Sequence, residues 1–140
     1  MAEKARAVEG LFDLTGRVAV VAGGAGYLGS AVCRGLLHHG AKVIVADINI
    51  AQAEHLVDEL NGRGDAQRSW SLPLDISRED SICHLVDGVH SDFKRLDILV
   101  NATCAPHGKS LTEISADSFN RSLSANVTGS FLLARQAKTQ

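Results

Sequence analysis

Arg17-Val-Ala-Val-Val-Ala-Gly-Gly-Ala-Gly-Tyr-Leu-Gly29 is the stretch that decides the fold. A short β-branched run, Arg17 to Ala22, enters a G-x-G-x-x-G string, Gly24-Ala-Gly-Tyr-Leu-Gly29, and a helical pattern leaves it. Strand, glycine loop and helix in this order form a cradle for a pyrophosphate. The glycines permit a tight turn and close backbone approach, and the helix N-terminus supplies free N–H groups and partial positive charge. Such a site calls for an acid about 20 residues on, at the end of the next strand, to bond the ribose hydroxyls. Asp47 stands there, 23 residues after Gly24, closing the second β-branched run Lys42-Val-Ile-Val-Ala-Asp47. The plain alternative is a tight Gly turn with Asp47 merely ending a strand; loop, acid and βαβ context together argue against it. Asp47 also bears on the cofactor, because a carboxylate beside the ribose repels a 2′-phosphate. No Arg or Lys follows at 48 to 51, so NAD(H) is expected over NADP(H).

Working outward, the same alternation continues. Leu96-Asp-Ile-Leu-Val-Asn101 is another continuous apolar run, as suits a strand buried on both faces of a parallel sheet. Ser69 to Leu74 is weaker, and its Pro73 fits an edge strand. Between the strands lie helical patterns. The first places Leu28, Val32 and Leu36 on a stripe and stops at Gly40. The second, over 50 to 61, carries Leu56, Val57 and Leu60, with Gly62 following. The third, over 78 to 93, carries Ile82, Leu85, Val86, Val89 and Phe93, with Ser77 as the expected cap and Glu79 and Asp80 in its first turn. The last starts near Ser115, carries Phe119, Leu123, Val127 and Phe131, and is weakened by Gly129. The order β-α-β-α-β-α-β-α predicts an α/β fold: a doubly wound parallel sheet of the Rossmann type, limited to about four strands and four helices.

Composition agrees and excludes other classes. One domain fits 140 residues, 45% apolar and 21% charged. A net charge of −2 leaves no basic footprint for nucleic acid or anionic lipid. Apolar runs such as Val18 to Ala22 are too short to span a bilayer, and Met1 to Gly10 has no apolar core of a secretion signal. Three widely spaced cysteines make no disulfide framework. A cytoplasmic protein without nucleic-acid or membrane partners is the expectation. Cys83-His84 and Cys104-Ala-Pro-His107 lack the paired spacing of a zinc site, so no metal is expected. His38 and His39 suit the last turn of a helix, and the Asn101 and Asn126 sequons fall on positions read as buried or cytosolic. Ser110 and Ser124 have no spaced base to activate them.

With these residues placed, the chain from Leu11 to Gln140 resembles the N-terminal part of a short-chain dehydrogenase/reductase. Phe12-Asp-Leu-Thr-Gly-Arg-Val-Ala-Val-Val resembles the entry into the first strand, and Ala22 to Gly29 the glycine motif. Leu74-Asp75-Ile76 resembles the turn whose Asp contacts adenine. Asp97 to Cys104 resembles the fourth-strand motif lining the cofactor, and Asn126-Val-Thr-Gly129 the helix motif whose Asn joins the proton relay. The resemblance implies cofactor contacts from Gly23, Gly24, Gly26, Tyr27, Leu28, Gly29, Asp47, Ile48, Asp75, Ile76, Asn101, Ala102 and Thr103, with Asn126 as relay residue. It implies hydride exchange between NAD and a small alcohol or carbonyl substrate, and a homo-oligomer built through the last helix.

Departures qualify this. Ala22 replaces a Thr whose hydroxyl bonds the fourth-strand turn, and Ala102 and Cys104 replace the second Asn and the Gly of that turn. Tyr27 is more like the longer sugar-nucleotide epimerases and dehydratases, which stand as one alternative; a non-catalytic dinucleotide-binding module is another. The family's Ser, and its Tyr four residues before a Lys, have no counterpart: Tyr27 is the one tyrosine and Ala31 follows it by four. The reading is a cofactor-binding Rossmann domain over 1–140, incomplete in its catalytic half and inactive alone. The fourth strand as an open edge, and Leu132, Leu133 and Ala137 as a patch in want of a partner, predict poor stability or self-association.

Overall fold

A computed structural model describes residues 10–62, 67–104, 110 and 112–138. The N-terminal segment 1–9, and Pro106 and His107, lie outside the described residues. After a 3₁₀ turn at Gly10–Phe12 come β1 (Val18–Ala22), α1 (Tyr27–His38), β2 (Lys42–Asp47), α2 (Ile50–Asn61), β3 (Ser69–Pro73), α3 (Glu79–Phe93) and β4 (Ile98–Asn101). The chain then enters α4 (Ala116–Leu123), which a π-helical turn at Ser124–Thr128 joins to α5 (Gly129–Lys138). Residues 123, 124 and 129 keep right-handed helical angles across both junctions, so α4 and α5 form one column with a wide turn in it.

The strands make one parallel sheet in the order β3-β2-β1-β4. This is the doubly wound fold expected, with Pro73 on the edge strand, where its missing N–H costs no ladder bond. Every residue of β1 is buried, because helices cover both faces. Val18, Val20 and Ala22 face one core with Ile44, Leu74, Ile82, Leu85, Val86, Val89 and Leu133. Ala19 and Val21 face the other, with Cys33, Leu37, Val43, Val45, Ala53, Leu56, Val57 and Leu60. The alternation along β1 thus assigns α3 and α5 to one face and α1 and α2 to the other.

A polar clasp closes the bottom of the sheet. Asp97, just before β4, accepts from the Val18 N–H at 2.9 Å and from the guanidinium groups of Arg95 and Arg17. The Arg95 hydrogen bonds, with those from Val18 and Arg17, hold its carboxyl well below the usual carboxylate range. On the opposite edge, Trp70 of β3 meets Phe93 of α3 edge to face at 4.8 Å.

Five expectations need correction. The buried stripe of α1 is Gly29, Cys33 and Leu37, one residue along from Leu28, Val32 and Leu36; Leu28 is exposed. Gly29 must face inward because the glycine loop folds back onto it. Ser77 does not cap α3: Arg78 is the cap residue, without a side-chain cap bond, and the Ser77 hydroxyl donates to Asp75 at 2.6 Å. The helix begins only at Glu79, so Ser77 lies one residue before the cap position and its hydroxyl serves the Asp75 turn. The last helical column is inverted. Phe119, Leu123, Val127 and Phe131 are 42% to 61% exposed, whereas Ala125, Gly129 and Leu133 are buried. Leu132 packs on the first core, so Leu132 and Leu133 already have their partners.

Gly129 gives the physical reason. A Cβ there would collide with the carbonyl oxygen and side chain of Ile76, so at this point the column lies too close to the β3–α3 connection to admit any side chain. Gly129 is therefore a site of close packing and not a weak point. Gly129→Ala should destabilise the fold by about 1–3 kcal/mol through overpacking, despite the better helix propensity of Ala. Urea unfolding followed by circular dichroism measures this, with a lower midpoint and an unchanged slope expected.

Candidate dinucleotide site

The three strands that end together at Ala22, Asp47 and Asn101 open onto a cavity of about 990 Å³. A crevice at the carboxyl ends of parallel strands is where open α/β sheets bind ligands. Its floor is the glycine loop. Gly23 has φ +71°, and a Cβ on it would lie 2.8 Å from the Thr103 nitrogen. At Gly24 a Cβ would meet the Val21 carbonyl oxygen, and at Gly29 it would collide with the Gly23 carbonyl. These positions therefore require the absence of a side chain, which leaves backbone facing the cavity. α1 begins at Tyr27 with Gly26 as a cap residue that has no side chain to occupy the helix N-terminus. Tyr27, 93% exposed, and Leu28 form the rim.

Asp47 sits at the end of β2 and ties this loop down. Its carboxylate accepts from the Ala25 N–H at 3.0 Å and from the Asn49 N–H at 3.0 Å. Each oxygen keeps a further lone pair for another donor. Gln52, in the first turn of α2, donates to the Ala25 carbonyl at 3.1 Å, so Ala25 is held through both its N–H and its carbonyl. Beneath it the Cys33 thiol lies 3.8 Å from the Gly24 carbonyl, and burial pushes that thiol up to about 12.

The walls come from three turns. Ile48 adjoins Asp47; Leu74, Asp75, Ile76 and Ser77 follow β3; Ala102, Thr103 and Cys104 follow β4. Asp75 organises its own turn, accepting from the Ser77 N–H and hydroxyl, while the Ser81 hydroxyl accepts from its backbone N–H. Asn101 does not line the cavity. Its side-chain oxygen accepts from the Thr103 N–H at 3.1 Å and the Thr103 hydroxyl at 2.7 Å, and so shapes the turn from behind.

Of the residues singled out in the sequence, Gly23, Gly26, Tyr27, Leu28, Asp47, Ile48, Asp75, Ile76, Ala102 and Thr103 line the cavity. Gly24 and Gly29 lie under the loop, and Asn126 sits in the π-helical turn, donating to Ser122 at 3.1 Å. Sequence reasoning missed the remaining wall. Ser118, Arg121, Ser122, Ser124 and Ala125 of the last column face the cavity. Their signal was present, as small and polar residues at helical spacing ahead of Asn126. Large apolar neighbours drew the eye to the opposite face.

The donor set fits a dinucleotide. A bare loop at a helix N-terminus suits a pyrophosphate, and a strand-end carboxylate suits ribose hydroxyls. Among the described residues, no group of three or more metal-ligating side chains occurs and no helix is long and apolar enough to cross a membrane.

Comparison with known proteins agrees with this geometry. The family model for short chain dehydrogenases matches residues 17–140. Sorbitol-6-phosphate 2-dehydrogenase of Escherichia coli is 33% identical over 120 residues, covering 86% of this chain and 46% of that protein. D-threitol dehydrogenase of Mycolicibacterium smegmatis is 32% identical over 124 residues, covering 89% of this chain and 47% of that protein. The crystal structure of a hydroxysteroid dehydrogenase from Escherichia coli superposes with a TM-score of 0.83 at 28% identity, covering 91% of this chain and 53% of that one. The chain thus spans less than half the length of these two curated relatives.

The cavity also sorts the cysteines. Cys104 is exposed on its wall, whereas Cys33 is buried with a raised thiol pKa. A disulfide-exchange reagent at pH 8 should label Cys104 at an ordinary thiol rate and Cys33 at least roughly a thousandfold more slowly, until denaturant is added. Peptide mapping of the labelled protein reads out the order.

Proposed function

This chain belongs to the short-chain dehydrogenase family, and on that premise we propose that it is the NAD(H)-holding part of a cytoplasmic oxidoreductase. The substrate class is a small alcohol or its carbonyl counterpart, supported by the two relatives above being dehydrogenases by name. When bound, the nicotinamide would supply the hydride acceptor or donor. The chain's own residues supply binding. The backbone of Gly23 to Leu28 would take the pyrophosphate, Asp47 the ribose hydroxyls, and the Asp75-Ile76 turn the adenine.

Asp47 is the observation that carries the preference for NAD(H). A 2′-phosphate would have to approach a carboxylate already held in place by two backbone N–H groups. Ile48, Asn49, Ile50 and Ala51 bring no cation beside it. Arg121 is the basic residue of the wall, and it stands on α4 rather than after β2. Asn126 is the position here that matches the family's proton relay, and the other residues named above supply cofactor binding.

Calorimetric titration should show NADH binding at least about tenfold tighter than NADPH, a difference of about 1.4 kcal/mol. Asp47→Asn should narrow that ratio, since it removes the charge and keeps one acceptor oxygen. Equal or tighter NADPH binding by the unaltered chain would overturn the preference.

We propose further that a second copy of this chain covers the outer face of α4 and α5. Phe119, Leu123, Val127 and Phe131 recur every fourth residue, giving an exposed apolar line about 18 Å long. A two-fold axis sets such a line against itself, so one patch serves both partners. Sedimentation velocity should show dimers that dissociate on dilution, and Phe131→Glu should shift the chain to monomer. A wild-type monomer across the concentration range would refute the pairing.

A further inference from the structure

Ala22 offers no hydroxyl to the turn after β4, and that turn carries no Gly of its own. Its backbone tie to β1 is a single bond, the Ala102 N–H donating to the Ala22 carbonyl at 2.8 Å. The side-chain bonds come from the helix side. The Asn101 carboxamide donates to the Ser130 hydroxyl at 2.7 Å, and that hydroxyl donates to the Asn126 carbonyl at 2.6 Å. The same Asn101 side chain accepts two bonds from Thr103 through its oxygen. Ser130 therefore fixes which way the carboxamide points, and the carboxamide fixes Thr103, whose nitrogen packs against Gly23 across the cavity floor.

The helix explains why a hydroxyl is wanted at 130. Through Ser124–Thr128 the backbone is π-helical, with the Gly129 N–H reaching back five residues to the Ser124 carbonyl. This register leaves the carbonyls of the wide turn imperfectly matched to the α-helical N–H groups that follow. A serine side chain can bond back to the carbonyl four residues earlier, and Ser130 does so at Asn126. One hydroxyl thus holds the wide turn on one side and the cavity wall on the other.

We propose that Ser130 is a positioning residue for the dinucleotide cavity, locking the Asn101–Cys104 turn to the π-helical turn at Asn126. It does not line the cavity and acts through Asn101. The cavity's role as a dinucleotide site rests on the reading given above; the lock itself does not.

Two readouts on the full chain separate these claims. Amide hydrogen exchange by NMR reports the lock without any ligand. In Ser130→Ala the Thr103 amide should exchange at least about fivefold faster, while the Val43 amide, bonded to the Arg68 carbonyl inside the sheet, should not change. NADH titration reports the consequence, with a several-fold weaker dissociation constant expected. Ser130→Thr keeps the hydroxyl and should restore both. Should Ser130→Ala fail to fold, Ser130→Cys keeps the size of the side chain, weakens the bonds to Asn101 and Asn126, and carries the same two readouts. Unchanged exchange at Thr103 would overturn the lock. Faster exchange with unaltered NADH affinity would overturn the positioning role. If the unaltered chain takes no NADH, the dinucleotide reading fails, and Thr103 exchange still decides whether Ser130 holds the turn.

Discussion

Backbone meets backbone at Gly23, Gly29 and Gly129 at separations that a Cβ would not allow. The glycine loop can fold onto the start of α1 only because Gly29 has no side chain, and the turn after β4 can close on the loop only because Gly23 has none. Gly129 does the same for the last helical column against Ile76. The cavity is the space left between these three contacts. Its shape therefore depends on positions that contribute no side chain, while Asp47, Gln52 and Asn101 hold the resulting loops with hydrogen bonds. Packing at such contacts tolerates little volume change, because the neighbours are main chain and have no rotamer to yield.

The sheet and the glycine loop were legible in the sequence because both depend on local chemistry. Continuous β-branched runs at Val18–Ala22 and Lys42–Asp47 admit few readings besides buried strands, and all ten cavity-lining residues named from the sequence sit in the loop or at the strand ends. The strand beginning at Ser69 was legible as an edge from Pro73 alone. What the residues could not announce was distance. The rule that large apolar side chains point inward fails wherever two elements must touch at their backbones, as α1 does at Gly29 and the last column does at Gly129. In both places the buried stripe passes through a glycine at the point of contact and reaches a large residue, Leu37 or Leu133, only farther along the helix.

A helix whose cap position falls one residue after the serine accounts for the other misreading. Ser77 precedes an amphipathic helix with acids in its first turn, which is the usual setting of a cap. α3 starts at Glu79 with Arg78 as its cap residue, which leaves Ser77 one position too early, and its hydroxyl donates to the charged acceptor Asp75 two residues back. The bond stiffens the Asp75-Ile76 wall, and the helix start is left without a side-chain cap. The clasp of Asp97 with Arg17 and Arg95 was equally silent, since it joins positions 80 residues apart. Sequence spacing carries no trace of a bond whose partners meet only after the sheet has formed.

The wide turn at Ser124–Thr128 has a geometric result for the outer line of the last column. In an uninterrupted α-helix, residues spaced by four advance about 40° around the axis at each step. A line of four such residues would wind through about 120° and face three different directions. A turn that takes more residues per revolution runs the phase backward and removes part of that drift. Phe119 and Leu123 lie before the wide turn and Val127 and Phe131 within or after it, so the two pairs stay closer to a common meridian than a plain helix would keep them. The same local over-count of residues that displaces a few carbonyls near the cavity also straightens the opposite side of the helix into a rail.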